Sequence, residues 1–169
     1  FLCVEIGGTN LRYGVVTKNY TLKEFEKIPS KGLSDAKNKG EYLKQLLDPV
    51  LEEHGGVSNF RCISLFSCFS DGPGQDNMLN SPNIRGFDNL PLKEILERLW
   101  GLPVIMERDV NTSLLYDLWK NHMGQEGIVI GVYIGTGLGN AMSIDGKVYK
   151  GYTGSSCELG HIPVDGLEK

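Results

Sequence analysis

The sequence lacks a polybasic cluster and any long apolar run. Its 17 Lys and Arg residues are outnumbered by 21 Asp and Glu residues, which gives a formal net charge of −4. The longest apolar stretch, 128–134, is interrupted by Gly131 and is far shorter than the roughly 20 residues that a membrane-spanning helix needs. A nucleic-acid interface would call for a clustered basic face. We therefore expect neither nucleic acid nor a membrane as a partner.

Cysteine is also scarce, and none of the four cysteines forms a C-x-x-C pair. Cys3 and Cys62 lie within apolar, strand-like runs, which favours reduced and buried thiols. A cytoplasmic location is the default expectation for such a chain. The chain opens on Phe1 inside an apolar run, so the question of a preceding leader stays open.

Hydrophobic periodicity predicts an α/β fold. Three antiparallel strands at the start, followed by alternating helices and strands, imply a mixed sheet with helices on its faces. Period-2 and short apolar runs predict strands at 1–6, 11–17, 21–28, 60–66, 103–106 and 127–134, with a hairpin over 141–144 and 147–149. Helical spacing of leucines predicts helices at 41–54, 91–100 and 110–123.

Two glycine-rich turns have the composition of phosphate-binding loops: Gly7-Gly8-Thr9-Asn10 and Gly135-Thr136-Gly137. Each follows an apolar strand and leads into another strand. Such a turn can present backbone N–H groups and a Thr hydroxyl to an anion. Neither turn matches the Walker A sequence, and neither opens a Rossmann helix. Taken singly, each turn is more often an ordinary tight turn, and the presence of two shifts the balance toward phosphate binding without deciding it.

Two further segments contain candidate chemistry. Asp109 follows a predicted strand and precedes a helix, where ligands collect in α/β folds. Two interpretations stay open there: Asp109 or Asn111 caps the helix, or Asp109 accepts the proton of an attacking hydroxyl. Later in the chain, Glu158 and His161 lie three residues apart and can face one pocket. Without a C-x-x-C partner, zinc cannot be argued from spacing.

In combination these motifs resemble the ROK family (repressors, open reading frames and kinases). The resemblance rests on the two turns, on Ser81-Pro82-Asn83, on Asp109-Val110-Asn111 and on the 158–163 segment Glu-Leu-Gly-His-Ile-Pro. It implies an α/β, ribonuclease-H-like (actin-like ATPase) fold with two lobes. The N-terminal lobe is expected over residues 1–119, and an incomplete start of the C-terminal lobe over 120–169.

The resemblance also implies a role for individual residues. Asp109 matches the catalytic base, and Asn83, Glu158 and His161 match positions at the sugar. In most members of the family, the histidine that His161 matches also ligates a structural Zn²⁺. The other ligands of that Zn²⁺ would lie outside this chain. The ATP phosphates would be bound by the two turns, which comprise Gly7, Gly8, Thr9 and Asn10 in the first and Gly135, Thr136 and Gly137 in the second.

Three positions depart from the family pattern. Glu5 stands where the family usually has an Asp linked to Mg²⁺. Glutamate keeps the charge but adds a methylene, which changes the metal geometry, and the expected role of Glu5 at Mg²⁺ is an indirect one. Arg108 replaces a common Asn that contacts a sugar hydroxyl. The family's D-allose kinases also have Arg-Asp here, which makes allose one candidate sugar. Cys157 replaces a small residue before the Glu158 segment.

The expected function is ATP-dependent phosphorylation of a hexose hydroxyl, O6 above all, by an enzyme that uses Mg²⁺ and is a homodimer at full length. The 169-residue chain alone is expected to bind ATP weakly and to turn over little. One alternative is a sugar-responsive repressor of the same family, which would need a winged helix-turn-helix before Gly7. Another is a non-enzymatic sugar-binding module.

Overall fold

The computed structural model describes residues 1–69, 81, 84–123, 126–135 and 137–163. Two short 3-10 turns accompany the helices and strands, at Val57–Asn59 and Leu159–His161. In chain order the elements are β1 (Leu2–Ile6), β2 (Asn10–Val16), β3 (Leu22–Pro29), α1 (Lys31–Asp35), α2 (Lys39–Glu53), β4 (Ile63–Ser67), α3 (Leu92–Trp100), β5 (Val104–Arg108), α4 (Asp109–Lys120), β6 (Ile128–Ile134), β7 (Leu138–Ile144) and β8 (Lys147–Val148).

The chain divides into two compact units, Phe1–Arg108 and Asp109–Lys169. The first contains a five-stranded sheet in the order β3-β2-β1-β4-β5. Strands β1, β2 and β3 pair antiparallel, whereas β1, β4 and β5 pair parallel. The predicted mixed sheet is therefore confirmed.

Alternating side chains explain how this sheet forms its core. Leu2, Val4 and Ile6 of β1 point to one face and are almost completely buried, as the two-residue period of a strand requires. Helices α2 and α3 cover the sheet with leucines at helical spacing, including Leu43 and Leu96. The hydrophobic pattern of the sequence thus determines which faces meet.

The parallel register sets where the strands end. Ile6, Ser67 and Arg108 are register partners at the carboxyl ends of β1, β4 and β5. The Ser67 hydroxyl is fully buried and donates a hydrogen bond of 2.7 Å to the Ile6 carbonyl. The chain consequently leaves the sheet at one edge each time one of these three strands ends.

The second unit contains α4 and an antiparallel sheet in the order β6-β7-β8. Leu114 and Leu118 of α4 form a small core with Ala141 of β7. This packing groups α4 with the second sheet, so the division between units precedes the helix. The lobe boundary that the sequence analysis placed after residue 119 lies at the far end of α4 and stays a prediction.

Two local features differ from the sequence-based expectation. Helix α1 was not predicted, because its one buried apolar residue, Leu33, gives no periodic signal. Strand β7 starts at Leu138, three residues before the predicted hairpin strand, because its pairing with β6 extends to Ile134. Within the described ranges, no helix has the length and apolarity to cross a bilayer.

The Asp48 carboxyl of α2 makes the free energy of unfolding depend on pH. Burial raises the pKa of this carboxyl, but hydrogen bonds from Lys44 and from Trp100 Nε1 (2.8 Å) outweigh burial and lower its pKa overall. A lowered pKa stabilises the fold at pH values above the unfolded pKa of about 4, and this contribution disappears as pH falls through the folded value. Asp48→Asn should therefore flatten the decline in unfolding free energy below about pH 4. Urea denaturation at several pH values measures this, and the exposed Glu53→Gln variant should keep the wild-type slope.

Candidate functional site

The first glycine turn joins β1 to β2. Gly7 N–H donates to the Asn10 carbonyl at 2.9 Å and closes the turn. A Cβ on Gly7 would lie 3.1 Å from that same oxygen, which is tighter than usual van der Waals contact. Gly8 and Thr9 are exposed to solvent. The turn therefore presents its middle residues to solvent, where a ligand can reach them.

Two buried serines form hydrogen bonds with backbone carbonyls in and next to this turn. The sequence analysis did not identify either of them. Ser30, only 1% exposed, donates its hydroxyl to the Gly8 carbonyl at 2.7 Å, and its N–H bonds the Thr9 carbonyl at 3.0 Å. Ser67 bonds the Ile6 carbonyl just before the turn. Satisfied carbonyls fix the turn's conformation before any ligand binds. A single hydroxyl at a strand end gives no sequence signal for this role.

Glu5 forms an ion pair with Arg12 across the β1–β2 ladder, where the two residues are register partners. This guanidinium already compensates the carboxylate that the sequence analysis linked to Mg²⁺. In the part of the chain that the structure describes, no group of three or more His, Cys, Asp or Glu side chains could hold a metal ion. The described residues therefore do not form a complete metal site, and roles for Mg²⁺ and Zn²⁺ stay predictions.

Arg108 and Asp109 lie at the transition from β5 to α4. Arg108 is 6% exposed at the end of its strand. Asp109 is half-buried in the first turn of α4, and its Oδ1 accepts the Val110 N–H at 2.8 Å. The positive end of the helix dipole favours a negative charge there. The helix start thus orients the carboxylate, which is compatible with both interpretations left open by the sequence.

The second glycine turn joins β6 to β7. Gly135 N–H donates to the Gly137 carbonyl at 2.9 Å, and both glycines are exposed. A Cβ built on either glycine would meet no atom within 4 Å. The surface beside this turn is therefore open, as an anion approaching the backbone would require. Thr136 lies outside the described residues.

Close packing joins the start of α4 to the start of β7. A Cβ on Gly139 would lie 2.6 Å from Val110 Cγ1, so this contact needs glycine at position 139. Gly139 follows the second turn by two residues, and Val110 follows Asp109 directly. The contact therefore brings the Asp109 carboxylate and the second glycine turn to the same end of one unit.

A half-buried polar pair fixes the other end of α4 to β6. The Tyr133 hydroxyl donates to Asp117 Oδ2 at 2.9 Å, and burial together with this bond strongly raises the pKa of Tyr133. The ring lies so close to Gly131 that a Cβ there would be 2.7 Å from the hydroxyl. The position of α4 on its sheet is thus determined at both ends.

Glu158 and His161 belong to a segment that lies on β7. Their side chains approach within 3.7 Å between Oε2 and Nε2, and the His161 side chain is 70% exposed. A Cβ on Gly160 would lie 2.3 Å from the Leu138 carbonyl oxygen, so the segment contacts the β7 backbone. These two side chains therefore lie at the β7 end that also contains the second turn.

Within the second unit, the start of α4 and the Glu158–His161 segment both contact the beginning of β7 next to the second glycine turn, from opposite faces of the small sheet. The first turn, Glu5 and Arg108 belong to the first unit. Asn83 lies outside the described residues. The hypothesis that both turns and Asp109 share one cleft stays a prediction.

Comparison with known proteins gives a consistent result. The sequence model of the ROK family matches residues 1–169. An N-acetyl-D-glucosamine kinase of Haemophilus influenzae is 29% identical over 167 residues, which are 96% of this chain and 52% of that protein. A ROK family glucokinase from Streptomyces griseus, solved with glucose and AMPPNP, is 26% identical with a TM-score of 0.78 over 97% of this chain and 51% of its own. The predicted actin-like ATPase fold is confirmed.

Similarity also extends to regulators. A xylose repressor of Caldicellulosiruptor bescii is 31% identical over 88 residues, which are 52% of this chain and 22% of the repressor. The chain spans about half the length of the curated kinase relatives that it matches. Kinases and a repressor thus share the sequence features of this chain.

The contact between Gly139 and Val110 can be tested with a pair of variants. Gly139→Ala should destabilise the protein by about 1–3 kcal/mol, because the new methyl group overlaps Val110 Cγ1. Val110→Ala removes that atom, so the double variant should be more stable than the sum of the single effects predicts. Urea denaturation measures all four proteins. If the two single changes in unfolding free energy add up to that of the double variant, residues 110 and 139 are not in contact.

Cys157 has a φ of 67°, in the left-handed region that costs a residue with a Cβ about 1–2 kcal/mol. Cys157→Gly should therefore raise the free energy of unfolding, by about 1 kcal/mol at most after the greater chain entropy of glycine is subtracted. Cys157→Ala keeps the Cβ and serves as the control without this gain. Equal stability of the Gly and Ala variants in urea would contradict the backbone explanation.

Proposed function

The chain belongs to the ROK family, and from that premise we propose that it contains the phosphate-binding turns and the catalytic base of an ATP-dependent hexose kinase. Kinases of amino sugars and of glucose are among its relatives. The proposal concerns the complete protein, since the relatives are about twice as long as the part matched here.

One observation supports this function more than any other. Val110 packs onto Gly139, so the residue next to Asp109 contacts the strand that emerges from the second glycine turn. Phosphoryl transfer needs a group that accepts the hydroxyl proton close to groups that bind the transferred phosphate. Gly139 lies in β7 only two residues after Gly137, so this packing places the start of α4 beside the strand end that follows the turn.

The two turns would bind the ATP phosphates through backbone N–H groups. Open space beside Gly135 and Gly137 and the exposure of Gly8 and Thr9 support that role. Glycine permits the approach because no Cβ shields the backbone. Mg²⁺ bound with ATP would supply additional positive charge at the phosphates. Preformed turns of this kind lower the barrier mainly through positioning and electrostatics.

Asp109 would take the proton from the sugar O6 hydroxyl as O6 attacks the γ-phosphate. The bond from Val110 N–H to Oδ1 orients the carboxylate, and a general base must be held in place in this way. Glu158 and His161, together with Asn83, would bind other sugar hydroxyls. Carboxylate and amide oxygens can accept from hydroxyl groups, and the amide and imidazole can donate to them.

For the sugar itself, we propose D-allose as the first candidate. Arg108 is a donor-only cation, buried at the end of β5 directly before the proposed base. Its size and charge should change the hydroxyl pattern that this position accepts. N-acetylglucosamine and glucose are the competing candidates, because one relative is named as an N-acetyl-D-glucosamine kinase and another as a glucokinase. Arg108→Asn should shift preference among these sugars.

A sugar-responsive repressor is the second candidate function, supported by the similarity to the xylose repressor. Such a protein would bind a sugar and DNA. Incubating the full-length gene product with ATP and each hexose distinguishes the two, because only a kinase releases acid and ADP in proportion to sugar. Sugar-dependent DNA binding without ADP release would favour the repressor.

Asp109→Asn should lower kcat of the full-length protein by about 10²–10⁴-fold, the usual contribution of a general base, with little change in unfolding free energy. A coupled ADP assay on a panel of allose, glucose and N-acetylglucosamine measures turnover. Asp35→Asn, at an exposed carboxylate, is the control with unchanged kcat. A near-normal kcat for Asp109→Asn would exclude Asp109 as the base.

A further inference from the structure

Asn140 occupies an unusual position for a polar side chain in β7. It is only 3% exposed, and its Oδ1 accepts the Leu159 N–H at 2.9 Å. We propose that Asn140 is a positioning residue that holds Glu158 and His161 in place for the sugar. Its consequence for catalysis rests on the proposed kinase function, whereas its effect on the segment does not.

The alternation of β7 shows which side of the sheet Asn140 serves. Gly139 and Ala141 face α4, since Gly139 contacts Val110 and Ala141 packs with Leu114. Successive strand residues point to opposite faces, so Asn140 points away from α4. On that face the Glu158–His161 segment covers the beginning of β7, and this cover buries Asn140.

The Glu158–His161 segment needs the bond to Asn140, because the backbone directly before it is strained. Cys157 is in the left-handed region with a φ of 67°. Leu159 N–H is shared between Asn140 Oδ1 and the Cys157 carbonyl, each at 2.9 Å. Costly backbone conformations persist only where surrounding contacts determine them. The bond to Asn140 is a side-chain contact between β7 and this strained turn.

The same arrangement connects two proposed binding elements. Asn140 follows Gly137 by three residues in the chain, and Leu159 lies between Glu158 and His161. Contact of Gly160 with the Leu138 carbonyl places the segment against the same strand end. Asn140 therefore fixes the distance between the second glycine turn and the proposed sugar-binding side chains.

The bond itself can be tested without ligand or activity. In the full-length protein, hydrogen exchange followed by NMR should show the Leu159 amide exchanging roughly fivefold faster in Asn140→Ala than in wild type, a factor typical of one net hydrogen bond. Asn140→Asp keeps the acceptor and should restore slow exchange. Asn121→Ala is the matched control, because Asn121 is exposed on the same unit and bonds only the Asp117 carbonyl in the part described.

Kinetics then separate a positioning role from a merely structural one. Asn140→Ala should raise KM for the sugar by about tenfold while KM for ATP stays unchanged, and Asn140→Asp should recover most of the loss. Two results would overturn the inference. One is an unchanged exchange rate of the Leu159 amide in Asn140→Ala. The other is fast exchange of that amide in a folded Asn140→Asp variant. Faster exchange with an unchanged sugar KM would overturn the positioning role. An inactive wild type would refute the kinase proposal and leave the exchange result valid.

Discussion

The parallel register of β1, β4 and β5 is the constraint on which the arrangement of the first unit depends. Because Ile6, Ser67 and Arg108 are partners in one row, strands β1, β4 and β5 all end at the same edge of the first unit's sheet. Parallel strands place their carboxyl ends on one edge, and ligands of open α/β sheets bind outside that edge. The first glycine turn and Arg108 thus lie at one edge of this sheet, an arrangement that no local sequence pattern specifies.

In the second unit the corresponding constraint is close packing at glycines. Gly139 admits Val110, Gly131 admits the Tyr133 ring, and Gly160 admits the Leu138 carbonyl. A Cβ at any of these three positions would come within 3.0 Å of the neighbouring atom, so the contact would have to shift. These contacts fix α4 and the Glu158–His161 segment on opposite faces of the same small sheet. Glycine therefore has two roles here: it opens the turn at 135–137 and it closes the packing around that turn.

Much of the fold could be predicted from periodicity. Leu43 and Leu47, at helical spacing, predicted α2, and the apolar run over residues 1–6 predicted β1, since both patterns follow from burial. Helix α1 could not be predicted, because it is short and depends on contacts such as the approach of the Tyr42 hydroxyl to Gly32. The early start of β7 was missed for a related reason. Leu138 to Asn140 look like turn residues, and only pairing with β6 makes them a strand.

For the site, the sequence by itself determined the chemical groups: two glycine turns, a carboxylate at a strand–helix transition, and a Glu–His pair, whose family resemblance was confirmed. It could not identify Ser30, Ser67 or Asn140, because their roles come from burial and from partners far along the chain. Tertiary structure decided which of these groups meet. Residue types are local information, whereas hydrogen bonds across the sheet and methyl-sized gaps arise only when distant segments pack together.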